Sequence, residues 1–345
     1  MARRILWASL ALAPATIAAD TLAHPGKVVL FVLAAASLIP LAWLIGEATE
    51  HAAEHTGAGI GGFLNASFGN APELIIALIA VGDGLPQVVR GSLAGSVISN
   101  LLLVFGVTQA VGPEKEINRR SLFAQLGLVA VAVVLLAAPV ALGYTGKPER
   151  HTAVLASVPV AVVLLLLYLV ITSRNLNEHR HSERAAPAAG AWSMGLALAV
   201  LGAATVLTAF VSEILVHSLN AFAKAVGASD FFVAAVIVAI VGNAAEHGGA
   251  IVIARAGKMK LATEIAVSSS AQVGLLVVPV VMLASLLFTH ELPLSFRWEE
   301  LVAMAGAVAL VGATVWSGVS RRRHGALLVV AYVAVAVGFL LAGNR

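Results

Sequence analysis

Eleven apolar runs of membrane-crossing length dominate the 345-residue sequence. A hydrocarbon core about 30 Å thick takes roughly 17 to 25 helical residues to cross. Runs of that order occupy approximately residues 5–22, 28–46, 60–82, 87–110, 121–143, 152–172, 192–217, 230–254, 262–288, 299–319 and 325–343. They lack the alternating ten-residue pattern of a membrane barrel, so an all-α polytopic membrane protein is expected. Composition points the same way. Apolar residues make up 60% of the chain and charged ones 11%, where a soluble domain carries about a quarter charged residues. The abundance of Gly, 31 in all, suits helices that pack closely in lipid. There is no Cys, so disulfides and thiolate metal sites are excluded. The net charge is +3, but the basic residues lie in short runs between apolar segments. No nucleic-acid partner is expected, and the bilayer is the surrounding medium.

The basic residues also orient the chain. With the N-terminus in the cytoplasm and eleven crossings, Arg3, Arg4, Lys115, Arg119, Arg120, Arg174, Arg180, Arg184, Arg255, Lys258, Lys260 and Arg321 to Arg323 fall inside, 14 of the 21 Lys and Arg. That satisfies the positive-inside rule and places the C-terminus outside. The first run, following Arg3 and Arg4, also has the look of a secretory signal peptide; its loss would leave ten helices in the same orientation.

An internal repeat is the most informative feature. Gly69-Asn70-Ala71-Pro72-Glu73 returns 173 residues later as Gly242-Asn243-Ala244-Ala245-Glu246. Gly95 to Ser99 and Ser268 to Gln272 follow at the same offset. Helices bearing Glu47 and His51, and Glu213 and His217, precede the two copies at an offset of 166. The expected organisation is an extra N-terminal helix over 1–24, a first five-helix repeat over 25–172, a cytoplasmic linker over 173–190 and a second five-helix repeat over 191–345. Five is odd, so the halves enter the membrane from opposite sides. This inverted arrangement places the sites of secondary transporters near the bilayer midplane.

Glu73 and Glu246 fall about midway along apolar runs, where a lone ionised carboxylate costs at least about 2.5 to 3.5 kcal/mol. Such residues are functional by default; the alternative is a protonated Glu hydrogen-bonded across a helix pair. Pro72 lacks the N–H that would bond the Phe68 carbonyl, so a broken helix is expected there, tolerated at membrane depth where it lines a cavity. Freed carbonyls, Asn70, Asn243 and the two carboxylates make an oxygen-only ligand set that suits a hard divalent cation such as Ca²⁺. Ser92, Gly95, Ser96 and Ser99 form one helical stripe, either a ligand face or a packing face. Ser269 and Gln272 mirror Ser96 and Ser99. When the cation leaves, two nearby carboxylates in a dry setting cannot both stay ionised and take up protons, which is the logic of antiport.

At these residues the chain resembles the calcium/cation:proton antiporter family of the cation/calcium exchanger superfamily. The likeness lies in Asn65 to Ile75 and Ser92 to Leu103 for the first half, and in Ile240 to His247 and Ala266 to Gln272 for the second. It implies that Glu73 and Glu246 bind the exchanged cation, with Asn70, Asn243, Ser96, Ser269 and Gln272 nearby and His247 beside the second Glu; Ser99 is a candidate ligand from the stripe alone. It implies exchange of Ca²⁺ for H⁺ with no resident cofactor and no enzymatic reaction. Ser268 stands where the family usually has Gly, and the linker is mixed in charge where many members are acidic.

His51-Ala52-Ala53-Glu54-His55 is a literal match to an inverted zinc-protease pattern, but the second half has no counterpart. Glu50, His51, Glu213 and His217 are expected to line a hydrophilic entrance or proton route, or else to be solvated helix ends. An ion channel, an exchanger driven by Na⁺ or K⁺, and a monovalent cation/proton antiporter are the competing classes. Short loops suggest a prokaryotic inner membrane, and a homo-oligomer is compatible with the sequence.

Overall fold

A computed structural model describes residues 2–143, 151–178 and 192–343. The described residues are almost entirely helical, and their only β feature is an isolated bridge between Glu116 and Val319. We number the helices α1 (Arg4–Ala23), α2 (Lys27–Gly69), α3 (Ala71–Gly82), α4 (Pro86–Val111), α5 (Arg119–Gly143), α6 (His151–Glu178), α7 (Met194–Ala225), α8 (Asp230–Gly242), α9 (Ala244–Arg255), α10 (Met259–Ser285), α11 (Trp298–Val315) and α12 (Arg322–Ala342). Nine helices among the described residues are long and apolar enough to cross a membrane, or ten if α8 and α9, bent by 57°, form one span. The eleventh expected run, 60–82, appears as the shorter apolar α3 preceded by the end of α2.

Glu47 and His51 lie on a helix, as expected, and that helix runs from Lys27 to Gly69. It cannot be straight, because Ala71 shares a packed cluster with Leu44, Ile45 and Ala48, whereas 23 residues of straight helix would separate them by about 34 Å. The reversal lies between Ala48 and Ala71, a stretch holding five glycines, at 57, 59, 61, 62 and 69.

Helices α2 and α7 run antiparallel. Phe31 stacks on Phe222 at 4.2 Å near one end, and His55 Nε2 lies 2.7 Å from the Trp192 carbonyl at the other. α3 returns along the same pair, so that Asp83 meets His217 at 3.1 Å. α1 docks on α2 through a buried hydrogen bond between Thr16 and Ser37, 2.8 Å, and through Trp7, which packs edge-on against Trp43 at 5.3 Å. α6 is helical through Glu178, so the expected linker begins within a helix; its remainder lies outside the described residues.

The deepest core surrounds α4, whose residues Val88 to Ile98 are all buried. Gly91 and Gly95 let it approach α8. A Cβ on Gly91 would stand 3.0 Å from the Phe231 ring, and one on Gly95 would collide with the Ala235 backbone. This is small-residue packing of the kind that replaces hydrophobic drive between membrane helices.

Candidate cation site

The two copies of the repeat break their helices at equivalent residues. Asn70 separates α2 from α3 with φ −93° and ψ 13°, and Asn243 separates α8 from α9 with φ −89° and ψ 14°. Proline is not the cause the two breaks share, since Ala245 stands where Pro72 does. At the second break the Asn243 side chain substitutes for the ladder. Its Nδ2 donates to the Ala239 carbonyl at 2.8 Å, while its backbone N–H reaches the same oxygen only at 3.4 Å. The helices that follow are matched as well: π-helical turns occupy Ser99–Val104 in α4 and Val273–Val277 in α10. Such turns inside α-helices are frequent at functional sites.

Glu73 and Glu246 sit in the first turns of α3 and α9, where the helix dipole favours negative charge. Each leans over the glycine that ends the other repeat's first half-helix. Glu246 Oε1 lies 3.1 Å from the position of a Cβ on Gly69, and Glu73 Oε1 lies 3.6 Å from that of Gly242. The carboxylates are close enough for Glu73 to act on the charge of Glu246. Glu73 is only 6% exposed. Both of its oxygens, and Oε2 of Glu246, have no hydrogen-bond partner among the described residues. Buried carboxylate oxygens left bare in this way are rare unless a ligand uses them.

Neutral oxygen and amide groups surround them. Asn70 Nδ2 donates to Gln272 Oε1 at 2.8 Å, and Asn243 Nδ2 donates to Ser96 Oγ at 2.8 Å. Ser269 joins through a residue the repeat search missed. Asn100, fully buried in α4, donates from Nδ2 to Asn243 Oδ1 at 3.1 Å and to Ser269 Oγ at 3.0 Å. Its equivalent in the second half is Val273, so self-similarity could not reveal it. An amide inside the apolar run 87–110 was the available signal. Ser99 turns back, donating to the Ser96 carbonyl at 3.2 Å, and Ser92 likewise bonds the Val89 carbonyl at 3.0 Å. Among the described residues no three His, Asp or Glu side chains cluster as a metal site. The centre therefore rests on two carboxylates and on neutral oxygens, a set suited to a hard cation.

His247 is buried beside Glu246 with its Nε2 unpartnered among the described residues. The other expected entrance residues are not brought to the centre. His51 stacks on Trp192 at 4.5 Å and faces Glu47 at 3.8 Å and Glu54 at 4.0 Å; Glu50 is exposed on the same helix. Glu213 and His217 are exposed toward the far end of α7, about 37 Å from Trp192 along the helix axis in the case of His217. These equivalents thus occupy opposite faces, as inversion requires. His55 contacts the Trp192 carbonyl, and the inverted protease pattern forms no metal cluster among the described residues.

Burial differs between equivalent positions. Gly91, Ser92, Gly95 and Ser99 are all buried in α4, whereas Glu264, Ile265, Ser268 and Gln272 in α10 are partly exposed. Glu246 is also partly exposed while Glu73 is not. The flank of the centre where α4 begins is buried, and the flank where α10 begins is partly exposed.

An inverted pair of helical repeats, with broken helices and facing carboxylates at their junction, defines a secondary transporter of the cation-exchanger type. The comparisons place it further. Residues 26–176 and 196–341 match the sodium/calcium exchanger protein family, and the chain belongs to that family. It is 39% identical over 332 residues to the Ca(2+)/H(+) antiporter ChaA of Bacillus subtilis (strain 168), covering 93% of this chain and 94% of that protein. It is 32% identical over 339 residues to the Ca(2+)/H(+) antiporter of Aphanothece halophytica, covering 92% and 91%. The solved structure of native YfkE superposes with a TM-score of 0.84 at 36% identity, covering 97% of this chain and 99% of that one.

Proposed function

We propose that this protein exchanges Ca²⁺ for H⁺ by alternating access, moving Ca²⁺ out of the cytoplasm at the expense of the proton gradient. The observation that carries the reading is the pair of repeat-related carboxylates, Glu73 and Glu246, with buried oxygens that have no hydrogen-bond partner among the described residues. A divalent cation satisfies two such carboxylates at once, with amide and hydroxyl oxygens completing its shell. When it departs, like charges held together away from water do not both remain ionised, and protons replace it. Either load neutralises the centre, so the empty, doubly charged form is not carried across. The names of the similar proteins, two of them Ca(2+)/H(+) antiporters, support this choice of ions.

The accessible side is the one where α10 begins, next to Arg255, Lys258 and Lys260. By the positive-inside rule that side is cytoplasmic. The state described here then receives Ca²⁺ from the cytoplasm, in a membrane we assign to a prokaryotic inner membrane. His247, adjoining Glu246, is the proton-relay residue in this reading.

The test is Ca²⁺ uptake into proteoliposomes under an imposed pH gradient, without Na⁺ or K⁺. Uptake that follows the gradient and disappears in Glu73→Gln and Glu246→Gln is the expected result. The family's description names sodium, which makes a Na⁺-coupled exchanger the second reading. Uptake that begins only when Na⁺ or K⁺ is supplied would replace the proton in this scheme.

A further inference from the structure

The mouth between α4 and α8 is closed by more than the fit of Gly91 and Gly95 against α8. Behind it runs the connection from α10 to α11, Leu286 to Arg297, and this segment grips both sides of the seam. Arg90, next to Gly91 on α4, donates from Nη1 to Ser295 Oγ at 3.2 Å. Arg297 lays its guanidinium over the Phe231 ring, 4.5 Å from the centroid, and Phe231 is the α8 residue that lies against Gly91. The same guanidinium donates to the Gly343 carbonyl past the end of α12 at 3.1 Å.

The segment is itself held firmly. The Leu292 N–H donates to Ser285 Oγ at 2.9 Å and the Leu294 N–H to Ser157 Oγ on α6 at 2.8 Å. Leu292, Leu294 and Phe296 are buried. Glu300, 1% exposed in the first turn of α11, accepts the Arg297 N–H and lies within electrostatic reach of both Arg90 and Arg297. Arg90 is 5% exposed. Charges this deep persist only where partners are fixed in place, so the cluster is committed to this arrangement. The two mouths are fastened by different residues: at the repeat offset Thr263 stands for Arg90 and Ala58 for Phe231, and the equivalent connection, between α4 and α5, meets α10 through Asn118 Nδ2 donating to Glu264 Oε1 at 2.9 Å.

We propose that the α10–α11 connection is a strap that keeps the α4–α8 mouth shut, with Arg90 holding it to α4 and Arg297 pressing Phe231 of α8 against Gly91. The asymmetry biases the exchanger toward the state accessible from the α10 side. The inference rests on the alternating-access reading, but it concerns the balance of two conformations and not the identity of the ions.

The protein has no Cys, so single reporters can be introduced directly. Ser92→Cys reports on the α4–α8 mouth and Ser268→Cys on the opposite one, each labelled with a membrane-impermeant thiol reagent applied separately to the two faces of native vesicles. With the strap intact, Ser268→Cys labels and Ser92→Cys does not. Adding Arg297→Leu is expected to raise Ser92→Cys labelling about tenfold and to lower that of Ser268→Cys, as a population shift requires. Arg297→Lys keeps the charge but lacks the planar face, and is expected to fall between; it serves as the test should Arg297→Leu fail to yield monodisperse protein. Unchanged Ser92→Cys labelling in the folded variants would overturn the strap. A rise at both reporters together would also overturn it, by showing general loosening. Labelling does not depend on which ions are exchanged, so failure of the Ca²⁺ and H⁺ assignment would show only in the flux assay.

Discussion

Each carboxylate of the site leans over a residue that has no side chain, and the two clearances differ. A Cβ on Gly69 would crowd Glu246 Oε1 at 3.1 Å, whereas one on Gly242 would meet Glu73 Oε1 at an ordinary 3.6 Å. Gly69→Ala is therefore expected to raise the Ca²⁺ KM in proteoliposomes by about tenfold, equivalent to about 1.4 kcal/mol, while Gly242→Ala leaves it nearly unchanged. Protonation is the second residue-scale consequence. A protonated carboxyl gives up an oxygen ligand, so Ca²⁺ affinity is expected to fall as pH falls, and by linkage Ca²⁺ binding must release protons. Calorimetry in buffers of different ionisation enthalpy measures that release directly, and Glu73→Gln is expected to diminish it. The two glutamates and their asparagines were legible in the sequence because charge at membrane depth is costly and because they recur at a fixed offset. Asn100 was not, since it has no repeat partner and its role exists only once α4, α8 and α10 meet.

At the scale of elements, the helix breaks matter most. Pro72 looked sufficient to explain the first, yet Asn243 breaks α8 from α9 with no proline. The side-chain amide there takes over a backbone carbonyl and also reaches Ser96. Asn243→Asp removes both donors while keeping the shape, leaving buried acceptors unpaired at about 1 to 3 kcal/mol each. Its melting temperature in detergent is expected to drop further than that of Asn70→Asp, whose donor serves the partly exposed Gln272. Glu47 and His51 were placed on a helix by the sequence, and polar side chains at 47, 50, 51 and 54 are no barrier to helix where they lie on a partly exposed face.

For the molecule as a whole, equal sequence repeats occupy unequal environments. Ser268→Cys is expected to react with a water-soluble thiol reagent from the Arg255 and Lys258 face and to be protected by Ca²⁺, while Ser92→Cys stays unreactive. Reaction of both from one face would contradict the single access path. The sequence by itself determined the class of fold, the number of crossings to within the division of broken helices, the inversion of the two halves and the paired glutamates. Those follow from local quantities: apolar length against bilayer thickness, the siting of basic residues, and a motif repeated at constant spacing. Only the tertiary structure decided which flank of the centre is buried, which side chains reach the centre, and that Arg90, Arg297 and Glu300 gather behind the α4–α8 seam. Two inverted repeats of one pattern can pack in either of two related ways. The choice between them depends on contacts among residues hundreds of positions apart, to which no local pattern in the chain is sensitive.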